Sequence, residues 1–136
     1  MAWSSITRII NRVTNDIVIV VGEKDNQSYV LQNSETGDFN IPVPWVGRTE
    51  ESSKCIRLSI DNNNENDKAD TIWIFQDYYS DNATIMYCVG DEFHYKHEVL
   101  TREVEGFNKG GGNKVLRIVR NIKNGKDEYE YKLRMI

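Results

Sequence analysis

The chain has 136 residues, 39% of them hydrophobic and 28% charged, with a net charge of −4. Such a chain can bury well over half of its unfolded surface as one globular domain, residues 1–136, and no apolar run approaches the roughly 18 residues of a membrane-spanning helix. Charge is uneven, −8 over residues 1–95 and +4 over residues 96–136; this marks an anion-binding face unless the two parts interleave in one fold, the expectation adopted here.

The opening MAWSSITRIINRV lacks the basic, apolar and small-residue order of a signal peptide, which predicts a cytoplasmic protein or one released by lysis. Trp3, Ile6, Ile10, Val13 and Ile17 recur at helical spacing, yet Ile6, Thr7, Ile9 and Ile10 are β-branched and favour a strand over residues 5–12. An amphipathic helix is the alternative there. Residues 16–21 (DIVIVV) read as a firmer strand, turned at residues 22–27 and returned as a hairpin by residues 28–32. In residues 39–46 (FNIPVPWV), Pro42 and Pro44 remove two donors from one side of an extended segment, so this stretch is expected at a sheet edge or as a covering arm. Residues 54–61 alternate cleanly, with Ile56, Leu58 and Ile60 inward and Cys55, Arg57 and Ser59 outward.

A polar loop over residues 62–69 precedes the most informative stretch, TIWIFQDYYSDNATIMYCV at residues 71–89. Ile72 and Ile74 alternate with Trp73 and Phe75, and Ile85, Tyr87 and Val89 with Met86 and Cys88, so both faces are apolar. That is the pattern of a hairpin at the middle of a packed sheet. Residues 92–99 alternate weakly, and residues 101–113 form a long polar connection holding Gly106, Gly110, Gly111 and Gly112. Residues 115–120 and 128–135 flank Asn124-Gly125, a dipeptide suited to a two-residue hairpin turn. Pairing through that turn sets Leu116 opposite Leu133, Ile118 opposite Tyr131 and Arg120 opposite Tyr129. A helix over residues 114–123 is the rival reading. Nine or ten strands with closely spaced turns predict an all-β, antiparallel sandwich or flattened barrel.

Chemistry-bearing residues are sparse. His94 and His97 sit beside Asp91, Glu92 and Glu98, but residues three apart on a strand point to opposite faces, so no metal is expected. Asp61, Asn63, Glu65, Asp67 and Asp70 crowd one loop, yet Asn66 stands where a calcium loop of EF-hand type needs glycine. A solvated loop is expected instead. Gly110–Gly112 before Asn113 and Lys114 lacks the phosphate-loop order and reads as a flexible bend. No Ser, Cys and His arrangement resembles a nucleophilic triad, so neither an enzyme nor a cofactor is expected. Lys114, Arg117, Arg120 and Lys123 are basic, but the acidic total argues against nucleic acid. Cys55 and Cys88 are expected as reduced, buried apolar side chains.

The aromatics of the loops point further. Trp45 follows the proline pair, and Tyr78 and Tyr79 occupy the tip of the central hairpin. Rings so placed stack on sugars or settle at a lipid interface, unless they cover a sheet edge. The opening AWSSITRIINRVTNDIVI resembles in general outline the aegerolysins, a likeness that implies a small β-sandwich recognising membrane lipids. It covers about the first 20 residues; the chain lacks that family's cysteine-glycine-arginine turn and its tryptophan-rich segment, so no functional residue is carried over. These residues predict a non-catalytic module binding carbohydrate or lipid head groups through Trp45, Tyr78 and Tyr79. The alternative is a self-assembling, homo-oligomeric structural subunit whose open sheet edge is covered by another copy.

Overall fold

A computed structural model describes residues 3–61, 69–122 and 129–136. In order these form strands β1 (Ser4–Arg12), β2 (Ile17–Val21), β3 (Gln27–Leu31), β4 (Thr36–Pro42), β5 (Trp45–Val46) and β6 (Ile56–Asp61), followed by β7 (Ala69–Asp77), β8 (Ile85–Val89), β9 (Thr101–Glu103), β10 (Glu105–Gly106), β11 (Gly112–Ile122) and β12 (Tyr129–Met135). Helix among the described residues is limited to two short 3-10 segments, Gly22–Lys24 and Thr49–Lys54. The helical readings of residues 5–12 and 114–123 are therefore set aside.

One sheet has the order β10-β12-β11-β1-β4 and the other β3-β2-β6-β7-β8-β9, with β5 beside β7. Ile6, Ile9, Leu116, Ile118 and Leu133 from the first sheet meet Ile19, Leu58, Ile60, Ile72 and Ile74 from the second in one buried core. This is a β-sandwich, as expected. The arrangement is not wholly antiparallel, however: β1 runs parallel to β11, β10 to β12 and β5 to β7. Hairpin turns fix direction only between strands adjacent in sequence, whereas β1 and β11 come from opposite ends of the chain.

The helical spacing at the N-terminus has a local cause. Between Ile6 and Arg8 the register of β1 against β11 slips by one residue, so Thr7 is a bulge that resets the alternation. Ile6 and Ile9, three apart, both become fully buried. At the end of β1 the side chain of Asn11, also fully buried, donates through Nδ2 to the carbonyls of Asn15 at 2.8 Å and Gln32 at 3.0 Å. Its Oδ1 accepts from Val13 N at 3.0 Å, which ties the chain between β1 and β2 to that after β3.

Three expectations need correction. The β11–β12 hairpin pairs Leu116 with Met135, Ile118 with Leu133, Arg120 with Tyr131 and Ile122 with Tyr129, two residues out of step with the predicted register. A shift of two keeps every side chain on its predicted face, which is why the pattern could not expose it. Residues 92–99 form no strand: Phe93 packs on the outer face of the large sheet, in a second buried cluster with Val46, Cys55, Phe75 and Cys88, flanked by Trp73 and Tyr95. Residues 101–113 are not all connection, since β9 and β10 lie within them. The loop over residues 62–69, with its calcium question, and the Asn124-Gly125 turn fall mainly on residues 62–68 and 123–128, outside the described residues.

The proline segment behaves as expected. β4 is an edge strand ending at Pro42, and the chain then crosses to the other sheet, where the Pro44 carbonyl accepts from Gln76 N at 2.7 Å. Cys55 and Cys88 are free and fully buried, and burial pushes the Cys55 thiol up to about 12. Both thiols are expected to label slowly in the native protein and promptly in denaturant. Alkylation followed by mass spectrometry checks this; fast native labelling would mean that the second cluster opens.

Candidate functional site

The parallel pairing of β5 with the end of β7 places Trp45 beside Gln76 and Val46 beside Asp77. Tyr78 N then donates to the Val46 carbonyl at 3.0 Å, so the segment after the prolines and the tip of the central hairpin lie side by side. Sequence distance gave no hint of this. Tyr78 and Tyr79 are 47% and 71% exposed, and their rings meet edge to face with centroids 5.2 Å apart. Trp45 is half-buried, and it presents less free ring than the tyrosines do.

The turn under the tyrosines is firmly built. Asp77 Oδ1 accepts from Tyr79 N at 3.1 Å, Asp77 O accepts from Ser80 N at 3.1 Å, and the Ser80 and Thr84 hydroxyls are 2.7 Å apart. Gly47 lies against this turn; a Cβ there would stand 3.0 Å from the Tyr79 ring and 3.2 Å from Tyr78 Cβ. Any larger residue would have to displace the pair.

Asp77, only 6% exposed, anchors the region from below. The Tyr95 hydroxyl donates to Oδ1, and Lys96 Nζ lies 3.2 Å from Oδ2. Burial, and then the Asp77 carboxylate, hold the Tyr95 phenol well above its ordinary pKa. These contacts join the residue 90–100 segment to the hairpin tip and pair a base from the basic part of the chain with an acid from the acidic part.

Trp3 and Phe107, 74% and 61% exposed, belong to the same end of the sandwich and were missed in the sequence. The Trp3 carbonyl accepts from Gly112 N at 2.6 Å, Phe107 N donates to the Met135 carbonyl at 2.9 Å, and Gly110 N reaches the Asn82 carbonyl of the hairpin tip at 2.7 Å. The glycine run is the joint here, with Gly110, Gly111 and Gly112 all at positive φ of 82°, 73° and 92°. Lys114 has no exposed surface; its ammonium sits 3.6 Å from the Phe107 ring centroid and donates to the Lys109 carbonyl at 2.9 Å. Desolvation lowers its pKa, and its role is to pin this loop rather than to meet an anion.

The histidines are not strand residues. Their rings lie 5.4 Å apart, but His97 Nδ1 accepts from the amides of Val99 and Leu100, each at 3.1 Å, and so caps a turn. Among the described residues no group of three or more His, Cys, Asp or Glu side chains converges on a point where a metal ion would sit. None of their helices is long and apolar enough to cross a membrane. In comparisons with known proteins, no family model, no curated protein and no solved structure matches the chain.

Proposed function

We propose that this chain is a non-catalytic binding module that recognises carbohydrate or lipid head groups with Tyr78 and Tyr79, Trp45 standing at their side. The observation that carries this reading is the exposed, edge-to-face tyrosine pair on a turn stiffened by Asp77, Ser80 and Gly47. Exposed rings on a rigid element offer contact area at little entropic cost to a ligand. Trp3 and Phe107, also exposed, lie at the same end.

The Tyr78→Ala, Tyr79→Ala double variant is expected to lose binding to its glycan or vesicle ligand while keeping stability within about 1 kcal/mol, as surface substitutions do. Trp45→Ala, half-buried, should cost more. Glycan arrays and vesicle sedimentation read the first quantity and urea unfolding the second. A loss of several kcal/mol in the double variant would make these rings packing residues and remove the support for a binding surface.

A second reading is favoured by the edge strand β3, where Val30 is 61% exposed directly opposite Val18 at 38%. Covering that edge with another copy would make the chain an assembly subunit. Light scattering separates the two: a concentration-independent monomer removes the assembly reading.

A further inference from the structure

At the opposite margin of the core, where β8 and β9 face the start of β12, the two sheets do not close on each other. They leave an open cavity of about 230 Å³ whose walls include Tyr87, Tyr129, Tyr131 and Leu100, with Arg102 and Glu130 at its rim. This is smaller than the roughly 300–1,000 Å³ of drug-sized ligand pockets, so it has room for one ring.

The walls are fixed. Tyr131 OH donates to Asp70 Oδ2 at 2.5 Å, and the Arg120 guanidinium stacks 4.1 Å from the Tyr129 ring centroid while its Nη1 donates to the Asp61 carbonyl at 2.8 Å. Arg102 pairs with Tyr87 across β9 and β8, and its Nε donates to the Val99 carbonyl at 3.3 Å. Its Nη1 stops 4.0 Å from Glu130 Oε1, with both side chains about half exposed. At that separation no direct hydrogen bond forms.

Arg102 also hydrogen-bonds the Tyr87 hydroxyl, and a sugar hydroxyl between Arg102 and Glu130 would accept from the one and donate to the other. An anion there would be repelled by Glu130 and a cation by Arg102. Tyr87 and Tyr131, only 6% and 4% exposed, close the floor, so the C–H face of a saturated ring would lie on half-buried Tyr129 and on Leu100 and Val99 at the mouth. We propose that this mouth is a binding site for a single neutral sugar ring, one hydroxyl bridging Arg102 and Glu130 and its C–H face against Tyr129, Leu100 and Val99. The site shares no residue with Trp45, Tyr78 and Tyr79 and stands without them.

The test is titration of the whole chain, followed by amide NMR shifts, with the methyl glycosides of glucose, galactose, mannose and N-acetylglucosamine, and separately with phosphocholine. At least one glycoside is expected to produce saturable shifts around Tyr87, Arg102 and Glu130. Arg102→Ala and Glu130→Ala should each weaken it at least about tenfold through the lost hydrogen bond to a charged group, with the unfolding midpoint unchanged. Glu130→Leu, which keeps the bulk of the side chain without an acceptor, should weaken it equally and serves if the Ala variants unfold. The Tyr78→Ala, Tyr79→Ala variant should bind as the parent does. The proposal is overturned if none of the four glycosides shifts these amides at millimolar concentration, if only phosphocholine does, or if binding survives in the rim variants.

Discussion

Phe75→Ala is expected to cost about 3 to 5 kcal/mol, the usual range for removing a fully buried aromatic side chain. Phe75 has no exposed surface and points to the outer face of the large sheet. Its ring meets Phe93 edge to face at 5.2 Å and Tyr95 at 5.7 Å. Ala would leave a cavity between the sheet and the residue 90–100 segment, which holds Asp77 through Tyr95 and Lys96. The effect should therefore reach the hairpin tip as well: amides of residues 77–80 should exchange faster in the variant than those of the core strand β6. Urea unfolding measures the first effect and native-state hydrogen exchange the second. A cost below about 1 kcal/mol would show that this cluster is a loose cover rather than a packed core.

The double-sided character of this region is legible in the sequence. Trp73 and Phe75 on one face with Ile72 and Ile74 on the other demanded a cover on both sides, and the structure supplies one on each. The identity of the outer cover was not legible, because the weak alternation of residues 92–99 reads as a strand, whereas Phe93 and Tyr95 lie in an irregular segment. Bulges obscure pattern in the same way: Thr7 turned a strand into an apparent helical stripe by resetting the phase between Ile6 and Ile9. The β11–β12 register erred by two residues because period-two alternation is blind to even shifts. The same limit hid the open cavity between β8, β9 and β12. Tyr87, Tyr129 and Tyr131 belong to inward-facing rows, and only the spacing of the sheets tells where those rows leave an opening. Tyr78 and Tyr79 stand out as a polar break in an apolar run, a local signal. Trp3 and Phe107 join the same end through partners far away in sequence, Gly112 and Met135, for which no local signal exists.

Stability is expected to fall as the pH rises above about 9, first through Cys55 and then through the tyrosines. The Cys55 thiol is pushed up to about 12 by burial in the second cluster, whereas a thiol in the unfolded chain titrates near about 8.5. Between those values the native state keeps a proton that the unfolded state has released. The unfolded state then binds fewer protons, so stability declines with pH across this window and is fully retained below it. For this one group the loss is about 1 kcal/mol by pH 9.5 and about 3 kcal/mol by pH 11. Tyr87, Tyr95 and Tyr131 are raised as well, each chiefly by burial, and they add a second stage beginning near the ordinary tyrosine value of about 10. Cys55→Ala separates the stages. It removes a small side chain without adding a polar group, and its stability should stay level up to about pH 10, while the parent is already declining by pH 9.5. Urea unfolding at pH 8, 9.5 and 11 reads both curves. If parent and variant decline together from the same pH, the thiol is not held in its neutral form by the fold, and the second cluster is open to water around Cys55.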